Sequence, residues 1–278
     1  MIDLDSVKDM SVLIVGDAII DEYRYVTPIG KSIKEPVIST RFERSEVFHG
    51  GAWAAATHLR DLCKTVEVHI GARVMHNTFY VDPTYGRKLF TVHESRDTED
   101  VPMQPDYAAY DLVIITDFGH GAMTRELIAD ISKRARFLAV NAQTNSTNYG
   151  FNMITKYRRA DYIVIDELEA RLAAHEKDAP IEDVILALGY RNIIVTLGKN
   201  GAIGFDGAFY RHKAVADRIV DTIGAGDAFL CVSAPFAAAR ASMDDLVNIG
   251  NAAGAVKVGI VGHQKYVTKE ALRAAIAR

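Results

Sequence analysis

The chain has 278 residues, room for one large domain or two small ones, and its 49% hydrophobic and 24% charged residues are the balance of a soluble globular protein. A formal net charge of -4 gives no long-range pull toward nucleic acid or an anionic membrane surface, and no apolar run approaches the ~20 residues that cross a bilayer. Cys63 and Cys231 are too few soft ligands for a metal site and read as buried reduced thiols; an acidic start without a signal-peptide pattern agrees with a cytoplasmic protein.

Residues 11–16 (SVLIVG) are a continuous apolar run, the pattern of a strand buried on both faces. Similar runs recur at 65–70, 111–116, 137–141, 162–165 and 192–197, and helical patterns lie between many of them. Residues 51–62 are Ala-rich and amphipathic; 124–135 open on a Thr cap with Glu126 in the first turn; 181–188 follow Pro180. The last third reads as successive helices over 225–241, 244–259 and 268–277. This alternation predicts an α/β fold, a three-layer, mostly parallel sheet with helices on both faces and ligands outside the carboxyl ends of the strands. Two segments, about 22–48 and 77–93, break the rhythm with short alternating strands and are expected to form a small β lid, or else surface hairpins without a role. No repeat and no Gly/Ser/Pro-rich linker divides the chain, so 1–278 is expected to be one domain.

The most informative stretch runs Val220-Asp221-Thr222-Ile223-Gly224-Ala225-Gly226-Asp227-Ala228-Phe229. A β-branched run stops, passes a Gly-Ala-Gly turn and enters an apolar helix. Free backbone N–H groups at a helix start bind anions, and glycines let that backbone approach a ligand closely. A carboxylate beside such a hole can take a proton from an attacking hydroxyl. These parts suit phosphoryl transfer, in which positioning and charge stabilisation dominate.

Several motifs, in order, resemble the ribokinase-like (PfkB) carbohydrate kinases. They are Val15-Gly16-Asp17-Ala18-Ile19-Ile20-Asp21, Gly50-Gly51-Ala52, Thr196-Leu197-Gly198-Lys199-Asn200-Gly201-Ala202, the run from Asp221 to Asp227, and Asn251-Ala252-Ala253. Ile115-Thr116-Asp117-Phe118-Gly119-His120-Gly121 is similar to the acidic Gly-rich turn of the heptose-phosphate kinases within that family. The resemblance implies that Asp227 is the catalytic base and that Gly224, Ala225 and Gly226 offer amides to the transferring phosphate; the alternative for Asp227 is a helix-capping carboxylate. It implies ATP on Thr196, Gly198, Lys199, Gly201 and Thr222, with Asn251 beside the adenine, although an exposed Lys199 can equally be only solvated. It implies Mg²⁺ held through water by Glu169, with Asp166 where the family often has Asn. On the sugar side it implies Asp17 above all, then Asp21, with Gly50 and Gly51 opening a helix; either aspartate can instead cap a turn.

Three departures bear on the substrate. The helix after Gly51 carries Trp53 where the family places an Asn, and Trp53 either stacks on substrate or packs against the lid. The segment after Val74 is short: it skips a helix and lacks the basic residues of many heptose-phosphate kinases, leaving Lys31, Lys34, Arg73 or Arg87 to meet a phosphate. The run from Val140 through Asn141 to Asn148 is dense in amides and hydroxyls. It binds sugar or phosphate by neutral hydrogen bonds, or caps a loop. The expectation is an ATP- and Mg²⁺-dependent kinase of a sugar or sugar phosphate, without a nucleic-acid or membrane partner, dimeric through its lid edges. The alternatives are a nucleoside kinase of the same fold and a catalytically weak binding protein on the kinase scaffold.

Overall fold

The computed structural model describes residues 2–97, 103–146, 148–216 and 219–277. Six strands run parallel: β1 (Ser11–Lys31), β3 (Thr65–Asp82), β5 (Leu112–Asp117), β6 (Leu138–Ala142), β7 (Tyr162–Asp166) and β8 (Ile193–Thr196). Four antiparallel strands complete the sheet: β2 (Ile38–Gly51) on β1, β4 (Arg87–Asp97) on β3, and the hairpin of β9 (Ala202–Phe205) and β10 (Phe209–His212). The order is β10-β9-β8-β7-β6-β5-β1-β3-β4, with β2 beside β1. This is the expected three-layer α/β arrangement.

The layers follow from the apolar runs. Val12, Leu13, Ile14 and Val15 are each at most 1% exposed, so successive residues are covered from opposite sides. Helices α1 (Ala52–Thr57), α5 (Ala225–Ala238), α6 (Met243–Val258) and α7 (Lys269–Ile276) cover one face, burying Ala55, Phe229, Leu246 and Leu272 with Val12 and Ile14. Helices α2 (Arg125–Arg134), α3 (Glu167–Ala174) and α4 (Ile181–Leu188) cover the other, burying Ile128, Ile131, Ala170 and Val184 with Leu13 and Val15. Thr124 and Ser242 cap α2 and α6 by accepting the amides of Leu127 and Asp245, each at 3.2 Å; such caps contribute about 1 kcal/mol each.

The lid differs from the expected pair of separate segments. It grows out of the core strands: β1 continues unbroken through Lys31 and β3 through Asp82, and their outer halves pair with each other from Ala18↔Val74 to Tyr25↔Val81. With β2 and β4 outside them they form the lid order β2-β1-β3-β4. The sequence predicts a strand only over 65–70 because Gly71, Ala72 and Arg73 interrupt the apolar run. The structure accommodates these three opposite Asp17 as a register shift between Gly16 and Ala18. The absent helix has a physical counterpart in β3. Val66 and Val68 pack into the core shared with α1, whereas the alternate positions are Thr65, Glu67 and His69, and Tyr110 Oη donates to Glu67 Oε2 at 2.6 Å. That face has little apolar surface for a helix to cover. Helix α1 is also shorter than the predicted 51–62, ending at Thr57 before a run of turns.

Candidate active site

The carboxyl ends of β6, β7 and β8 and the N-terminus of α5 enclose a cleft of about 660 Å³ bordered by Asn141, Gln143, Asp166, Glu169, Thr196, Gly198, Thr222, Gly224, Gly226 and Asp227. Gly224, with φ 75°, turns the chain into α5. The first amides of an α-helix have no partner four residues back, and a Cβ on Gly226 would meet no atom within 4 Å, so backbone here borders open space. A more apolar cleft of about 190 Å³ adjoins it, sharing Thr196, Gly198, Thr222 and Gly226 and adding Lys199, Gly201 and Asn251 beside Phe229, Ala255 and Val258. All six residues expected to contact ATP therefore lie around one slot. Gly201, with φ 91°, is held there because a Cβ would sit 1.9 Å from the His212 carbonyl. Asn251 Nδ2 donates to that carbonyl at 3.3 Å, tying α6 to the end of β10.

Asp227 lies in the first turn of α5, only 7% exposed. Gln143 Nε2 donates to its Oδ1 at 2.6 Å. Burial pushes the Asp227 carboxyl up to about 6, against the opposing pull of Gln143 and of the Lys257 charge. A carboxyl titrating just below neutrality is ionised at pH 7 yet basic enough to accept a proton. Glu169 is braced at both oxygens: Oε1 accepts the Thr144 amide at 3.0 Å, and Oε2 accepts the Asp166 amide at 2.8 Å in a reciprocal cap of α3. Burial, then the charge of Asp166, pushes Glu169 up to about 8, with Asp227 adding in the same direction. No three His, Cys, Asp or Glu side chains converge as metal ligands among the described residues. Asp166, Glu169 and Asp227 all border the cleft, and Glu169 feels the charge of the other two.

The residues expected on the sugar side divide between a buried turn and the lid. Asp17 is fully buried, and its two oxygens accept the amides of Phe118 at 2.8 Å and Ala122 at 3.0 Å. It anchors the turn after β5 and is not among the residues that border the cleft. Asp21 stands farther out, 8% exposed; it accepts from Asn77 Nδ2 at 2.8 Å and lies 3.9 Å from His263 Nε2. Gly50 borders the Asp21 carboxylate, since a Cβ would be 3.3 Å from its Oδ2. Gly51, with φ 59°, starts α1, and its Cβ would be 2.3 Å from the Asp17 carbonyl. Trp53 packs edge-on against His49 of β2 at 5.1 Å between centroids and also borders a cavity shared with Phe48 and His263. Asn141 is 3% exposed; its Nδ2 donates to the Val164 carbonyl at 2.7 Å, while its Oδ1 is unpartnered among the described residues at the wall of the large cleft.

The polar run after Asn141 is largely a brace. Asn145 and Asn148 side chains both donate to the Phe118 carbonyl, at 2.7 and 2.8 Å; Thr147 lies outside the described residues. Asn152 joins Asp117 to the Gln143 carbonyl, and Tyr157 Oη donates to Asp117 Oδ2 at 2.6 Å. The turn holding Asp17 and the turn holding Gln143 thus form one network. Among the suggested cations, Arg73 is paired with Asp97. Gln143, Asn77, Lys257 and His263 are the site residues that the sequence leaves without a role. Gln143 falls inside the polar run singled out, and Lys257 interrupts an Ala-rich helix, but neither position names a partner.

The pfkB family carbohydrate kinase model matches residues 82–269. The sequence is 25% identical over 320 aligned positions to the bifunctional protein HldE of Hyphomonas neptunium, covering 99% of this chain and 65% of that one. The chain thus spans just under two thirds of the length of this relative. Among solved structures, the ribokinase of Thermotoga maritima superposes with a TM-score of 0.74 at 18% identity, covering 97% of this chain and 100% of that one. Arabidopsis thaliana ribokinase complexed with ribose and ATP gives 0.74 at 14% identity, covering 97% and 99%. At these identities the likeness shows the fold.

Proposed function

The chain belongs to the pfkB family of carbohydrate kinases, and on that premise we propose that it transfers the γ-phosphoryl group of ATP to a hydroxyl of a sugar or sugar phosphate. The observation that carries this reading is Asp227: a buried carboxyl raised to about 6, oriented by Gln143, at a helix N-terminus where an open polar cleft meets an apolar slot. The slot between Gly201, Asn251 and Val258 suits the adenine ring, and the amides of Gly224 and Gly226 suit the γ-phosphate, with that of Ala225 joining them by giving up its long 3.3 Å bond to the Thr222 carbonyl. Asp21 would accept hydrogen bonds from sugar hydroxyls, with His263 and Asn77 holding it.

In the transfer, Asp227 takes the proton of the attacking hydroxyl as the new O–P bond forms and the β–γ bridge breaks, its electron pair leaving with ADP. The turn amides oppose the charge that develops on the equatorial oxygens. Asp166 and Glu169 would hold hydrated Mg²⁺, which supplies charge neutralisation to the phosphates when bound. Lid closure over Asp21 would exclude water as a competing acceptor. The same reading makes the protein a homodimer through the lid, since Ile29, Ile38, Phe42 and Val47 are 69%, 69%, 60% and 56% exposed there.

The test is transfer of label from γ-labelled ATP to a panel of ribose, hexoses, nucleosides and heptose phosphates. Labelling of a sugar or sugar phosphate is expected. Labelling of nucleosides alone, or nucleotide binding without any labelled acceptor, would overturn the reading.

A further inference from the structure

Lys257 is the one basic side chain in the buried interior of α6, with 0% of its surface exposed. Its partners are backbone carbonyls rather than a carboxylate: Nζ donates to Ile223 O at 2.6 Å and Gly262 O at 2.8 Å. The amides of the same two residues are held by Asp221, whose Oδ1 accepts from Ile223 N at 3.0 Å and whose Oδ2 accepts from Gly262 N at 2.8 Å. Ile223 and Gly262 are therefore each clamped twice, by the amide to Asp221 and by the carbonyl to Lys257. The ammonium lies under the start of α5, where a Cβ on Gly224 would be 3.3 Å from Lys257 Cε and 3.6 Å from Nζ.

Two consequences follow from general chemistry. A trans peptide is planar, with its C=O and N–H on opposite sides. Holding the Ile223 carbonyl on the ammonium therefore turns the Gly224 N–H away from Lys257, and Gly224 itself borders the cleft. A cage of carbonyl oxygens with a carboxylate nearby is also the environment that holds a free monovalent cation, and here a covalently attached one fills it.

Resting on the kinase reading, we propose that Lys257 is a positioning residue that serves as a tethered monovalent cation: it orients the Gly224 amide toward the transferring phosphoryl group, adds a fixed positive charge beneath it, and frees the enzyme from any need for a dissolved monovalent cation.

The experiment compares the full-length protein with Lys257→Met in tetramethylammonium buffer, to which potassium or ammonium chloride is added. Wild-type kcat is expected to change by less than about twofold across the titration. The variant should lose about 10²-fold in kcat, the order of one removed anion-hole donor, with the KM for ATP within about threefold. Ammonium or potassium should then restore kcat by about tenfold or more and raise the variant's melting temperature, leaving the wild-type melting temperature unmoved. Strong activation of the wild type by potassium overturns the proposal, and that arm needs no variant to fold. A variant within about threefold of wild-type kcat also overturns it, as does a loss that neither cation rescues. Wild-type protein that labels no acceptor would instead sink the kinase reading; the cage would then be judged by cation-dependent melting of the variant, and melting indifferent to both cations would refute it.

Discussion

The nucleotide half of the cleft and the sugar half are built by different means. Around the slot, contact falls largely to backbone and small residues: Gly198, Gly201 and Gly226 border it, and φ of 56° at Gly198 and 91° at Gly201 shapes two of its turns. On the sugar side, contact falls to side chains whose availability depends on distant partners. Asp17 and Asp21 are four residues apart on one strand, yet Asp17 is consumed by the amides of Phe118 and Ala122 while Asp21 remains at the lid with Asn77 and His263. A site made of backbone has its geometry written locally, whereas a site made of carboxylates is decided by what the fold brings to them.

The largest effect expected of this contrast is at Gly201. Gly201→Val would place a β-branched side chain at φ 91° with its Cβ 1.9 Å from the His212 carbonyl. Calorimetry should show ATP affinity falling by about 10²-fold or more, since the turn under the slot must move, a loss of about 3 kcal/mol. Retained affinity would show that the slot is not the nucleotide site.

Next comes a paired test on β1. Asp21→Asn removes a charged acceptor from the sugar and should raise the sugar KM by about 10- to 100-fold while leaving the KM for ATP near wild type. Asp17→Asn should cost about 1–3 kcal/mol in denaturant unfolding, because two buried amides lose their carboxylate. Its sugar KM should stay close to wild type. A reversed pattern would return the sugar contact to Asp17.

A subtler change is expected at Gln143. Its donation to Asp227 favours the ionised carboxylate, so Gln143→Ala should raise that pKa from about 6. A base must be deprotonated to act, so wild-type kcat should rise with pH through about 6 and level off above it. In the variant the acid limb should move toward neutrality, with most of the loss at low pH and little at high pH. A variant whose limb stays in place would separate Gln143 from the base.

The smallest effect belongs to Trp53. Because it packs edge-on against His49, Trp53→Phe should change the sugar KM by less than about threefold. A larger rise would restore the stacking role.

Much of the frame was legible in the sequence, for identifiable reasons. The apolar runs of β1, β5, β6 and β7 are buried on both faces and could hardly be placed elsewhere. The run from Asp221 to Asp227 carried its own turn and helix start, and Thr196, Gly198, Lys199, Gly201, Thr222 and Asn251 do gather around one slot. The lid was legible only in part, because the outer halves of β1 and β3 continue core strands across Asp17 and across Gly71–Arg73, where local propensity breaks. Least legible were partnerships. Nothing near Gln143 points to a residue 84 positions away, and nothing near Lys257 points to the carbonyl of Ile223, 34 positions back. These contacts are produced by the meeting of β6, α5 and α6, which only the fold supplies.

The central claim is that the two halves meet at one base. Its most direct test is Asp227→Asn, with nucleotide affinity by calorimetry and kcat on the best acceptor measured side by side. The account predicts ATP affinity within about threefold of wild type and kcat reduced by about 10²- to 10⁴-fold, the range for a lost general base. Turnover equal to wild type would contradict it.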